Sequence, residues 1–180
     1  MNNFISRDSL SKTKAATFLS NHLKQNLDFH ISLYKSGLRK TAIPNYTKGS
    51  IFTYEAHTYF TVIKSLIDIS KVRGVKEFNI LEIGTGTGFF SLTLAFLCQY
   101  MKNNFDMSKI KINIDSVDNN VERINTTKEL FEKHNIENSV NFHVMTSDVF
   151  FQSNSKKYNF ILIDGSHRYE DFKKDLSNAV

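Results

Sequence analysis

A single cysteine, Cys98, is all that 180 residues offer, so no internal disulfide can form. That scarcity fits a reducing compartment, and a cytoplasmic location is expected. Cys98 ends the apolar run from Leu92, which suits a buried core thiol better than a nucleophile. No apolar run approaches the roughly eighteen residues of a membrane span, so no membrane partner is expected. The opening Met1-Asn2-Asn3-Phe4-Ile5-Ser6-Arg7 lacks the basic-then-apolar layout of a signal peptide. Proline is nearly absent: Pro44, the only one, falls in 37–50, which reads as a connecting loop over the active face.

The charge balance is uneven along the chain. The net charge is +5, and residues 1–50 carry eight Lys/Arg against Asp8 and Asp28, while the remainder carries fifteen against sixteen acids. The excess thus belongs to an N-terminal extension. Solvated lysines on amphipathic helices explain it, and a nucleic-acid partner is not expected. Hydrophobic content of 41% with 23% charged residues is ordinary for one globular domain with a sizeable core.

Glycine is scarce as well, seven in all, yet three of the seven fall in Gly84-Thr85-Gly86-Thr87-Gly88. That loop follows Phe78-Asn79-Ile80-Leu81-Glu82-Ile83, an apolar run suited to a strand buried on both faces of a parallel sheet. A helical pattern starts at Phe89, so its free N–H groups point back at the loop. Three more strands are expected at 111–117, 140–144 and 158–163, ended by Asp118, Ser147-Asp148 and Asp164-Gly165. Helices are expected over 10–26, across 29–34, from Thr53 to about Lys71 with Gly74 as the stop, from Phe89 to about Met101, over 120–134 and from Tyr169 onward. The pattern predicts an α/β, doubly wound Rossmann-like fold with a mostly parallel sheet, four strands present and helices at the N-terminus. Residues 1–50 form the helical extension and 51–180 the cofactor-binding domain. Ligand-contacting residues of such sheets gather at the strand carboxyl ends.

A dinucleotide loop would need glycine at Phe89, and Glu82 suits an amine better than a pyrophosphate. A cofactor with a cationic amino-acid part and an adenosine part fits better. Glu82 then organises the amino-acid end, and Gly84, Thr85, Gly86 and Gly88 let the backbone approach. Asp118 accepts from both ribose hydroxyls, and Asp148 accepts from the exocyclic amine of adenine.

Glu82 to Gly88 resembles the first motif of class I S-adenosylmethionine-dependent methyltransferases. Ser116-Val117-Asp118 resembles their second motif, and Thr146-Ser147-Asp148-Val149 their adenine motif. Phe160 to Glu170, leading to Lys174-Asp175-Leu176, resembles the O-methyltransferase branch with catechol-type, macrolide-sugar and cephalosporin-hydroxylase-like members. The likeness covers about 50–180. It implies methyl transfer from S-adenosylmethionine to an oxygen of a small-molecule acceptor. It also implies a divalent cation, Mg2+, held in part by Asp164, with His167 as the catalytic base. Val149 falls in the adenine-binding set. Four histidines, His22, His30, His134 and His143, lack metal-ligand spacing and are expected to be structural.

The resemblance also implies a seven-stranded sheet whose fifth strand lies beside the fourth and carries the other metal acids. The apolar strand ending at Ile163 would be left as an edge. The 180 residues are therefore expected to be a fragment, or to need a partner; the N-terminal helices could also join two subunits. Two other readings are carried: the same cofactor serving nitrogen or RNA, and a non-catalytic cofactor-binding or interaction module.

Overall fold

The computed structural model describes residues 62–179 except Thr87, 105–109 and His167. The chain divides into two compact units, Met1–Ser65 and Leu66–Val180. The expected helices over 10–26 and 29–34, the loop 37–50, the helix start at Thr53, His22 and His30 lie outside the described residues.

Helix α1 (62–72) stops as expected at Gly74, whose φ of 72° an L side chain rarely adopts. Then come β1 (Glu77–Ile83), α2 (Phe89–Asn104), β2 (Lys111–Asp118), α3 (Val121–Lys133), β3 (Asn141–Val144), α4 (Ser147–Ser153), β4 (Phe160–Ile163) and α5 (Tyr169–Ala179). All four expected strands are present, and each is followed by a helix. The short helix α4 is an addition. Its seven residues are too few to display a periodicity, but Thr146 caps it by accepting from the Val149 N–H at 3.4 Å. Asn120 caps α3 in the same way through Arg123 N–H at 3.1 Å.

The strands pair in the order β3-β2-β1-β4, all parallel. Consecutive strands β1 and β2, β2 and β3 lie side by side, and β4 crosses back to the other flank of β1, which makes the sheet doubly wound. Registry brings the carboxyl ends level: Ile83 faces Val117 and Ile163, and Asp118 faces Val144. Toward the opposite end, Asn79 ties β1 to β2 and to the segment that leads into β4. Its side chain donates to Lys157 O at 2.9 Å and accepts from Asn113 Nδ2 at 2.8 Å, and its N–H donates to Asn159 Oδ1 at 2.8 Å.

On one face of the sheet Leu81, Ile83 and Val117 bury Phe150 of α4, with Met145, Phe151, Tyr158 and Ile161 packed around them. Ile80, Phe78, Leu92, Leu94 and Phe131 are fully buried as well. Burial of such side chains stabilises by about 1.5–3 kcal/mol each before chain entropy is set against it. Cys98 is buried as expected, and desolvation pushes its thiol up to about 12, so it is no nucleophile near neutrality. His134 packs edge-on against Phe96, and His143 against Phe150. Among the described residues β4 has β1 as its one neighbour, so it forms the expected edge. Beside it, α5 exposes Tyr169, Phe172 and Leu176.

Candidate cofactor site

The level strand ends place Glu82, the glycine loop, Asp118, Asp148 and Asp164 along one rim of the sheet. The loop is held from beneath. Gly84 N–H donates to Val117 O at 2.8 Å, and the Thr85 and Ser116 hydroxyls bond at 2.6 Å. All three loop glycines have left-handed backbone, with φ of 96°, 55° and 77° at Gly84, Gly86 and Gly88.

Two of them serve different ends. A Cβ on Gly84 would stand 2.4 Å from the Asp164 carbonyl oxygen and 2.5 Å from the Gly165 Cα, so β1 and β4 can meet here only through glycine. A Cβ on Gly86 would meet nothing within 4 Å. The space beside it is open. Asp118 fixes the Gly86 peptide, accepting its N–H on Oδ2 at 2.9 Å, while Oδ1 accepts from Asn120 N–H at 2.8 Å. A carboxylate has about four lone-pair sites, so each oxygen keeps one for a hydroxyl donor.

Glu82, next to last in β1, is 1% exposed, with Oε2 accepting from the hydroxyls of Ser116, at 2.5 Å, and Ser91. Burial pushes its carboxyl up to about 7, although both serine bonds favour the charged form; the negative charges of Asp164 and Asp118 push the same way as burial. A folded-state value above the unfolded one stabilises the fold fully below about pH 4.5, and this contribution is lost as pH rises through about 7. Urea midpoints are therefore expected to fall between about pH 5 and about pH 8, and less so in Glu82→Gln. Equal slopes in both proteins would remove Glu82 as the titrating group.

The third acid of the set is engaged differently. Asp148 Oδ2 accepts from Lys174 Nζ at 2.5 Å and Oδ1 from Asn178 Nδ2 at 3.2 Å, both from α5. Next to it Ser147 donates to the buried Asp175 at 2.5 Å. Val149 is half-exposed. Asp164 is exposed at the end of β4, its N–H donating to Ile83 O at 2.8 Å. Among the described residues no three His, Cys, Asp or Glu side chains converge. A carboxylate such as that of Asp164 is the hard oxygen ligand that Mg2+ takes. His167 lies outside the described residues.

A family model described as a methyltransferase domain matches residues 81–180, more than half of the sequence. The chain belongs to this methyltransferase-domain family. The resemblance to class I S-adenosylmethionine-dependent methyltransferases is thereby borne out, and the Rossmann-like fold with it. The fold of this methyltransferase domain is similar to that of a protein assigned as a caffeoyl-CoA O-methyltransferase from Staphylococcus aureus. The two are 20% identical over 92% of this chain and 67% of that one, with a TM-score of 0.51. An O-methyltransferase from Bacillus cereus with bound SAH aligns over 91% of this chain and 62% of its own, at 16% identity and TM-score 0.45. The SAH-bound methyltransferase PaMTH1 of Podospora anserina aligns over 83% and 62%, at 15% identity and TM-score 0.46. The chain thus spans about two thirds of the length of these proteins. No curated protein matches it. No helix among the described residues is long and apolar enough to cross a membrane.

Sequence reasoning named the acids of the methyltransferase rim but not their companions. Ser91 and Ser116 lie 9 and 34 residues from the Glu82 they hold. Nothing local to either serine signals the pairing. Lys174 and Asp175 stood within the recognised segment after β4 without an assigned task.

Proposed function

We propose that the protein transfers the methyl group of S-adenosylmethionine to an oxygen of a small-molecule acceptor. The observation that carries this reading is the Gly86 peptide, open on its outer side and fixed from below by Asp118. In it the cofactor's amino-acid part lies along Gly84 to Gly88, Asp118 accepts from the ribose hydroxyls, and Asp148 with Val149 meets adenine. When bound, the cofactor supplies an electrophilic methyl group on sulfonium. Transfer to a hydroxyl breaks the sulfur–methyl bond as the oxygen–methyl bond forms, and the hydroxyl proton passes to a base. His167, assigned by resemblance, would be that base, since an ordinary imidazole titrates near neutrality. The residues of the rim act by orienting oxygen, carbon and sulfur in line. Asp164 would be one ligand of a divalent cation that lowers the hydroxyl's pKa. The name borne by the Staphylococcus aureus protein agrees with oxygen as the acceptor atom.

Calorimetry with S-adenosylhomocysteine is expected to give saturable binding. Asp118→Ala is expected to weaken it about ten- to hundred-fold, the effect of losing hydrogen bonds to a charged group. Absence of binding by the wild-type protein would overturn the cofactor assignment. Chelation of divalent cations is expected to stop turnover while leaving that binding intact.

A further inference from the structure

The pairing of Asp148 with α5 has a consequence for the cofactor. Asp148 is the carboxylate assigned to adenine's exocyclic amine, and both of its oxygens already accept from the last helix. The Lys174 contact is the closer and carries full charge, whereas the Asn178 contact is neutral and longer. Hydrogen bonding to Asp148, together with its charge, raises the Lys174 pKa, so the ammonium persists well above neutrality. We propose that Lys174 competes with the adenine amine for Asp148 and thereby sets both the affinity for the cofactor and its choice of base. This rests on the adenine role given to Asp148 above.

The competition is between donors of the same kind. An exocyclic amine offers N–H groups to the carboxylate, as does the ammonium, and the ammonium sits on Oδ2. The amine therefore meets an Asp148 whose negative charge Lys174 already offsets, and its own N–H dipoles are opposed by the ammonium beside them; Lys174, exposed on a flexible stem, can turn away to relieve this. A base with a carbonyl in place of the amine reverses the relation. The Asp148 carboxylate repels that oxygen, while the Lys174 ammonium donates to it. Lys174 thus narrows the preference for adenine over hypoxanthine that Asp148 alone would impose. α5 itself does not depend on Lys174, because Asp175 is anchored separately on Ser147 at 2.5 Å.

The test is calorimetric binding of S-adenosylhomocysteine and of S-inosylhomocysteine to wild type and Lys174→Met, which keeps the stem and loses the charge. Lys174→Met is expected to bind the adenine compound about two- to five-fold more tightly, as suits loss of an exposed ion pair. It is expected to bind the inosine compound more weakly. The gain for adenine should shrink in high salt and vanish in an Asp148→Asn background. Unchanged or weakened adenine binding in Lys174→Met, or both compounds moving in the same direction, would overturn the proposal. Failure of the wild type to bind either compound would instead strike at the cofactor assignment itself.

Discussion

Gly84→Ala is expected to cost about 4 kcal/mol of folding stability, from roughly 1–3 kcal/mol of backbone strain and a similar amount of overpacking. The strain follows from φ of 96°, and the overpacking from a methyl 2.4 Å from the Asp164 carbonyl oxygen. That oxygen is backbone, fixed by the strand pair β1–β4 and by Asp164 N–H on Ile83 O at 2.8 Å, so it cannot rotate aside. The methyl can be accepted only by prising β4 from β1. Urea denaturation should register the loss, and hydrogen exchange should place it at 160–164. Gly86→Ala is the informative contrast. Its φ of 55° lies in the region L-residues enter at about 1–2 kcal/mol, and the added methyl meets nothing within 4 Å. It is expected to fold and yet to lose S-adenosylhomocysteine binding, because the methyl occupies the approach to the backbone. A Gly86→Ala protein that bound as well as wild type would show that the ligand does not pass there. A Gly84→Ala protein of normal stability would show that β1 and β4 are not packed as described.

The contrast marks what could be read from the sequence. Period and composition were enough for the strands, since apolar runs ended by an acid or glycine leave few alternatives, and the acids at the rim came with them. Three glycines in five residues signalled a loop that a ligand could approach, but not that Gly84 answers to the residues just after β4, eighty positions on, while the space beside Gly86 is open. Helix α4 escaped because seven residues give fewer than two turns of pattern. Pairings between distant polar groups were the least legible. Glu82 with Ser91 and Ser116, Asp148 with Lys174, and Asp175 with Ser147 are fixed by the crossover of β4 and the packing of α5. A serine or lysine on a helix reads the same whether it meets solvent or a carboxylate.

Asp115 carries that point furthest, and its replacement is the second large expected effect. In the sequence it is one polar residue in an alternating strand. In the fold it is 5% exposed and accepts four hydrogen bonds. Oδ1 takes His143 Nε2 at 3.0 Å and Asn141 Nδ2 at 3.2 Å; Oδ2 takes Lys156 Nζ at 2.7 Å and the Tyr158 hydroxyl at 3.0 Å. Burial would raise this carboxyl, but the bonds from His143 and Lys156, with the Lys156 charge, hold it well below the usual carboxylate range. Burial first, then the Asp115 charge, pushes the Tyr158 hydroxyl up. Asn at this position keeps the shape but turns one acceptor into a donor facing other donors. It also leaves the Lys156 ammonium, partly buried over the Tyr158 ring at 5.5 Å, without its counter-charge. Asp115→Asn is therefore expected to cost about 3 kcal/mol in urea denaturation, the low end for breaking a buried pair because Lys156 and His143 keep some contact with water. Lys156→Met, which leaves the carboxylate with three donors, should cost less. The acid limb gives an independent check. A depressed folded-state value contributes stability above about pH 3.9 that is lost as pH falls through the folded value, so the wild type should weaken steeply on acidification. Asp115→Asn should weaken less steeply there, and a parallel acid limb would mean that Asp115 is not the group that titrates. The segment 154–158, held to β2 by these bonds, leads directly into β4. The same substitution is thus expected to loosen the strand that presents Asp164, with hydrogen exchange faster at 160–163 than in β1.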